Sequence, residues 1–107
     1  MAKTPKSPQK VAPKSASSTP YVSIIVPLLD EEGSLRELYT QILTATDPLS
    51  KPIEIIFVDD GSTDTSFTIL EELHAHDHRV KVIRFRRNFG KSAALSVGFH
   101  EARASSW

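Results

Sequence analysis

An apolar run near the middle of this sequence ends in two adjacent carboxylates and a glycine. The run, Ile53 to Val58, consists almost entirely of β-branched and aromatic residues, which is typical of a parallel strand buried on both faces. Asp59 and Asp60 then stand where the strand ends. Because ligands bind outside the carboxyl ends of strands in open parallel sheets, this acidic pair predicts a binding site. Taken alone, the residues also fit a plain turn with Ser62 as a helix cap.

The same order of apolar strand, polar turn and amphipathic helix occurs three times. The predicted strands are Tyr21 to Pro27, Ile53 to Val58 and Val80 to Phe85, and the predicted helices are about Ser34 to Thr46, about Thr63 to Ala75, and one that opens near Gly90. Three strands that alternate with helices imply right-handed crossovers and a three-stranded parallel sheet. The sequence therefore predicts an α/β, Rossmann-like βαβαβα fold.

Finer features of the helices are also predicted. Ser34 and Glu37 have the spacing of a capping box at the start of the first helix. The third helix carries several small or apolar residues on one side. These are Ala94, Leu95, Gly98, Phe99 and Ala102.

The first twenty residues differ in composition from the rest. They contain four of the thirteen basic residues, no acid and no aromatic residue, and Met1 to Pro20 is predicted to be a disordered basic tail. The remaining residues carry a net charge of minus four, which gives no support for a nucleic-acid-binding domain. Neither a signal-peptide core nor a membrane span is recognisable. We expect one partial domain over residues 21–107.

Three polar loops are expected to meet at one edge of the sheet. They are Pro27 to Ser34, Asp59 to Asp64, and Arg86 to Ser92. The third, RRNFGKS, combines basic side chains with a helix N-terminus, which favours a phosphate site. A solvated basic turn is the alternative.

Several sharper motifs are absent from the sequence. Gly90, Lys91 and Ser92 match the end of a P-loop motif, but Phe85 occupies the position where this motif requires an earlier glycine. His74, His76 and His78 have a spacing of two, which does not place them on one helix face, so no metal site is predicted there. Ser62 and Ser92 have no histidine partner that would favour a nucleophile and are interpreted as helix caps.

Three segments together resemble a known family: VSIIVPLLDEEGSL, IEIIFVDDGSTDTS and VKVIRFRRNFGKSAALSVGF. In this order they look like the nucleotide-binding half of an inverting family 2 glycosyltransferase, with polyprenyl-phosphate sugar transferases of the dolichol-phosphate mannosyltransferase type as the most similar subgroup. The resemblance covers Tyr21 to about Ala102. It implies the amino-terminal portion of a GT-A fold and transfer of a hexose from a UDP- or GDP-linked sugar to a lipid-phosphate or glycan acceptor.

The resemblance also implies roles for individual residues. Pro27, Leu29 and Glu31 would form the wall of the nucleobase and ribose pocket, Asp59 and Asp60 would contact the nucleotide, and Arg87, Asn88 and Lys91 would lie near the diphosphate. Family members usually have an aromatic residue at the position of Leu29 and asparagine at that of Asp30, so weaker stacking on the base is expected here.

One element of the family is missing from the sequence. The family's fourth strand ends in a D-x-D-type motif that holds Mg²⁺ or Mn²⁺, and this chain stops before such a motif. We therefore expect this chain to hold no metal and to carry no catalytic residue of its own. It is interpreted as a truncated glycosyltransferase, expected in the cytoplasm or at the cytoplasmic face of a membrane.

Two alternatives remain open beside the enzyme fragment. One is a non-catalytic nucleotide-binding or interaction remnant. The other is a flavodoxin-like signalling domain, which is disfavoured because the third strand ends at Phe85 and Arg86 rather than at a phosphorylatable aspartate. For the fragment, which lacks the neighbouring strands of a GT-A domain, an unpaired, apolar sheet edge is expected to favour self-association.

Overall fold

The computed structural model describes residues 20–103, which form three strands and three helices. The elements in chain order are β1 (Val22–Leu28), α1 (Leu35–Thr46), a single 3-10 turn (Asp47–Leu49), β2 (Ile53–Asp59), α2 (Ser66–His76), β3 (Val80–Arg84) and α3 (Lys91–Glu101). The predicted tail lies outside the described residues apart from Pro20, which is buried.

The three strands form one parallel sheet with β2 in the centre. Leu28 at the end of β1 pairs with Asp59, and Asp59 pairs with Arg84 at the end of β3. The carboxyl ends of all three strands therefore lie level with one another. This confirms the predicted α/β fold and brings the three following loops to one edge.

Both faces of β2 are covered by helices, so every residue of this strand is buried. Ile53, Ile55 and Phe57 pack on the side of α1 and α2, whereas Ile56 and Val58 pack on the side of α3. This alternation follows from the two-residue period of a strand. The sheet is thus the middle layer of a three-layer structure.

Helix α3 approaches the sheet closely through small residues. A Cβ atom added to Gly98 would lie 2.4 Å from the Ile25 Cγ2 atom. Ala94 and Gly98 are buried, but Phe99 is 54% exposed. The prediction that Phe99 shares their packed side is therefore wrong, because it lies about 100° around the helix from Gly98.

Three predicted caps are also wrong. No side chain caps α1, and the Ser34 hydroxyl donates instead to Glu31 Oε1 at 2.8 Å. Helix α2 begins at Ser66 rather than Thr63, and the Ser62 hydroxyl accepts from the backbone N–H of Asp30. Ser92 is the second residue within α3, whose N-terminus has no side-chain cap. The residues before α2 bond to a distant loop, and this competes with local capping.

A buried carboxylate in the central strand joins all three strands. Glu54 accepts hydrogen bonds from Ser23 on β1, from Lys81 on β3, and from the backbone N–H of Arg103 just after α3. Burial by itself raises the pKa of Glu54, but these hydrogen bonds outweigh it and hold the pKa below its ordinary value. The apolar pattern of the strand gave no sign of this arrangement.

Candidate functional site

The polar loops at the carboxyl edge of the sheet contact one another through the central one. We call them the first loop (residues 29–34), the second loop (60–65) and the third loop (85–90). The second loop follows the central strand and bonds to both of the others. The predicted gathering of the loops at one edge is confirmed.

Gly61 brings the backbones of the second and third loops into direct contact. Its φ is +88°, and an added Cβ would lie 2.4 Å from the Arg87 carbonyl carbon and 2.5 Å from the Asn88 nitrogen. These neighbours are backbone atoms, which cannot move aside by a change of rotamer. Only glycine fits this position without displacing the third loop.

The Asp60 carboxylate holds the same third loop from the side. It is 5% exposed. One oxygen accepts from the Phe89 N–H at 2.7 Å and the other from the Gly90 N–H at 3.1 Å. Gly90 is the N-cap of α3 and has a φ of +101°. Asp60 therefore fixes the turn from which α3 starts.

Asp59 lies deeper than Asp60 and is fully buried. Its Oδ1 atom accepts from the Ser62 N–H at 2.8 Å, whereas Oδ2 has no hydrogen-bond partner within the described part of the chain. A buried polar atom without a partner costs about 1–3 kcal/mol, so the surrounding contacts must hold this carboxylate in place. A direct contact of Asp59 with a nucleotide stays a prediction.

The first loop is fastened to the second by side chains that reach across in both directions. Asp30, with a φ of +51°, donates its N–H to Ser62 Oγ and accepts from the Thr63 N–H at 2.8 Å. Glu32 Oε1 accepts from both the N–H and the hydroxyl of Thr65. The Asp30 carboxylate therefore fastens the two loops together.

A cavity of about 250 Å³ lies where the first and third loops meet. It is lined by Pro27, Leu28, Leu29, Asp60, Asn88, Gly90 and Lys91. The volume is below the usual range for ligand pockets, about 300–1,000 Å³, so the cavity suits one part of a ligand, such as a base, better than a whole nucleotide sugar. Five of the eight residues predicted for the site line this cavity, and Leu28 and Gly90 were missed.

The other three predicted site residues lie outside the cavity lining. Asp59 is fully buried, and the exposed Glu31 accepts a hydrogen bond from Ser34. The Arg87 guanidinium stacks over the Phe89 ring at 4.7 Å, so its charge lies on the outer surface of the third loop.

Two features of residues 20–103 bear on the site. No group of three or more His, Cys, Asp or Glu side chains there could hold a metal ion. We therefore assign no metal ligand to these residues, and the Mg²⁺ or Mn²⁺ of the family remains an expectation. No helix in the same range is long and apolar enough to cross a membrane.

Comparison with known proteins defines the class. A sequence profile described as Glycosyl transferase family 2 matches residues 23–105, and the chain belongs to this family. This agrees with the parallel sheet and with the acidic pair at the end of β2. The predicted resemblance is thereby confirmed at the level of the family.

Individual relatives are similar over most of the chain. An undecaprenyl-phosphate 4-deoxy-4-formamido-L-arabinose transferase of Shewanella sediminis is 40% identical over 84 residues, which is 78% of this chain and 25% of the relative. An uncharacterized glycosyltransferase of Bacillus subtilis, YkcC, is 40% identical over 83 residues, or 78% of this chain and 26% of the relative. The chain thus spans about a quarter of the length of these relatives.

Proposed function

We propose that the cavity between the first and third loops binds the nucleotide of a UDP- or GDP-linked sugar, the donor of a glycosyl transfer. The observation that supports this most strongly is the convergence of Leu29, Asp60 and Lys91 on one cavity in a family 2 glycosyltransferase chain. Leu29 and Asp60 belong to the first and second loops, and Lys91 begins α3 directly after the third loop. Each of them supplies a different kind of contact.

The base is proposed to lie between the apolar wall and Asp60. Pro27 and Leu29 supply the wall, and Leu29 is 37% exposed and so available to a ligand. Each Asp60 oxygen already accepts one backbone N–H, but a carboxylate oxygen has two lone pairs. The free lone pairs can accept the ring N–H of uracil or guanine.

The diphosphate is proposed to lie toward the start of α3. Lys91 is the first residue of this helix, lines the cavity and makes no salt bridge with another described residue. The free N–H groups and partial positive charge of a helix N-terminus favour an anion at the same place. Lys91 would offset the charge that builds up on the leaving diphosphate.

The acceptor is proposed to be a lipid phosphate, with a glycan as the alternative. This rests on relatives whose names specify undecaprenyl phosphate. The same names specify an arabinose derivative, so we widen the proposed donor sugar from a hexose to hexoses and pentoses. A lipid-phosphate acceptor would place the reaction at a membrane surface, for which the cytoplasmic face is the expected side. Mg²⁺ or Mn²⁺, when bound in a longer chain, would neutralise the sugar diphosphate.

Titration of the 107-residue chain with UDP, GDP and uridine tests the proposed donor site. We expect UDP or GDP to bind with a dissociation constant on the order of 1 mM, about −4 kcal/mol, and no turnover of a nucleotide sugar. Lys91→Ala is expected to weaken the nucleoside diphosphate much more than uridine, because only the diphosphate carries charge. Lys51→Ala is the matched control, because Lys51 precedes β2 at the edge of the sheet opposite to the candidate site.

Two results would contradict this account. If Lys91→Ala and Lys51→Ala weaken the binding of the nucleoside diphosphate equally, only the net charge of the protein affects binding. Product formation from a nucleotide sugar would contradict the expected absence of turnover. Binding without product is the expected result, and it also fits the alternative of a non-catalytic nucleotide-binding remnant.

A further inference from the structure

The second loop holds the third loop through two neighbouring residues. Two consecutive N–H groups, those of Phe89 and Gly90, donate to the two oxygens of Asp60, and the Gly90 N–H also donates to Asn88 Oδ1 at 2.8 Å. Gly61 lies against the backbone of Arg87 and Asn88. The third loop is exposed apart from Phe85 and Gly90, so few buried side chains fix its path. Its geometry therefore depends on the Asp60 carboxylate.

We propose that Asp60 is a positioning residue for the diphosphate half of the ligand, in addition to any contact that it makes with the base. By holding Phe89 and Gly90, it sets where α3 begins and so where Asn88 and Lys91 stand. This inference rests on the proposed nucleotide site. It assigns Asp60 an effect on the diphosphate through the position of other residues, without direct contact.

The chemistry of the residue explains why a carboxylate is suited to this position. Asp60 offers one acceptor oxygen to each of two neighbouring N–H donors. Asparagine has the same shape but only one acceptor oxygen, so one of the two N–H groups would face an NH₂ donor. Asp60→Asn thus removes one of the two holding contacts and places two donors against each other, with little change in volume.

A positioning role and a direct base contact predict different binding patterns. A residue that only contacts the base makes the same contact with uridine and with UDP. Its loss therefore weakens the binding of both ligands by the same factor. A residue that orders the third loop affects mainly the ligand that reaches Lys91. Asp60→Asn is therefore expected to weaken the binding of UDP about tenfold more than that of uridine, because both ligands lose any contact of the base with Asp60 but only UDP also depends on the place of Lys91.

Amide hydrogen exchange of the free protein tests the holding contact without any ligand. In Asp60→Asn we expect exchange at Phe89 to accelerate by about tenfold or more, with a smaller change at Gly90, whose N–H also donates to Asn88 Oδ1, and with the strand β2 amides unchanged. Asp64→Asn is the matched control, because it makes the same chemical change in the same loop but Asp64 accepts from Glu32 and Ser66. Unchanged protection at Phe89 and Gly90 would overturn the inference.

The two measurements separate this inference from the proposed function. If wild-type protein binds neither UDP nor GDP, the proposed function fails, and exchange still decides whether Asp60 holds the loop. Equal weakening of UDP and uridine by Asp60→Asn would overturn the positioning role. If the Asp60→Asn variant loses amide protection throughout β2, it has unfolded. Gly61→Ala is then measured in its place, because an added Cβ displaces the same third loop sterically. Gly61→Ala must then weaken the binding of UDP more than the binding of uridine.

Discussion

At the scale of single residues, Asp77 shows how one carboxylate can join two elements. It is 8% exposed and accepts hydrogen bonds from the Tyr39 hydroxyl on α1 and from the Arg79 guanidinium before β3. Burial raises the pKa of Asp77, but the bonds from Arg79 and Tyr39 outweigh it and lower the pKa from 3.8 to about 2. This cluster lies at the amino edge of the sheet, far from the candidate site.

The shift of Asp77 predicts a specific loss of stability in acid. Because its pKa is lower in the folded protein, the native state binds fewer protons, and the stabilisation is present above about pH 4 and lost as the pH falls through 2. We expect Asp77→Asn to lower the free energy of unfolding by up to about 2 kcal/mol at pH 7.

Urea unfolding between pH 7 and pH 2 measures this contribution. The difference in unfolding free energy between wild type and Asp77→Asn should shrink toward low pH. Glu71→Gln, at an exposed acid on α2, serves as the control. A difference that stays constant with pH would refute the assignment to Asp77.

At the scale of elements, Glu54 is expected to matter far more than an ion pair on the surface. It joins β1, β2, β3 and the end of α3, and its side chain is 3% exposed. We expect Glu54→Gln to cost about 1–3 kcal/mol of unfolding free energy, because it leaves a buried network partly unsatisfied.

The pair Arg36–Glu72 gives the matched comparison for Glu54. Its side chains are 60% and 50% exposed, so Glu72→Gln should change the unfolding free energy by less than about 0.5 kcal/mol. Thermal or urea unfolding at pH 7 measures both variants. A smaller loss for Glu54→Gln than for Glu72→Gln would show that the buried network does not stabilise the sheet.

The elements themselves could be predicted from sequence because strands and helices here follow local patterns. The β-branched run of β2 and the repeating order of the elements gave the sheet, and each strand end was predicted within about one residue. The contacts between loops could not be predicted in this way. Ser62 bonds to Asp30 and Asp60 bonds to Phe89 over about thirty residues of sequence, and such partners replace the local caps that short motifs suggest.

The candidate site was predicted in part for the same reason. Pro27, Leu29, Asp60, Asn88 and Lys91 follow strand ends, so the topology brings them together. Whether a side chain faces the cavity depends on the path of each loop. Asp59 ends the strand facing inward, Arg87 turns onto Phe89, and no local pattern of charge or polarity distinguishes them from their neighbours.

At the scale of the whole molecule, the sheet is predicted to associate through an edge. Among the described residues β1 pairs only with β2, and its residues Val22 to Pro27 are partly exposed. An unpaired apolar strand offers its N–H and C=O groups to another chain. We expect the apparent mass in sedimentation velocity to rise with protein concentration.

A charge on the strand edge tests this prediction. Tyr21→Lys, at an exposed residue directly before β1, should reduce association, whereas Thr44→Lys, on an exposed position of α1, should not. A monomer with a cooperative unfolding transition at every concentration would contradict the expected association.

A map of amide chemical shifts during titration with UDP and GDP decides whether the cavity is a nucleotide site. The proposed site predicts that the shifts concentrate in the three loops and at the start of α3, near Leu29, Asp60 and Lys91. The groove on the outer face of α3, lined by Leu95, Phe99 and their neighbours, should stay unchanged. Shifts that concentrate in that groove, or none at ligand concentrations well above about 1 mM, would contradict the nucleotide site.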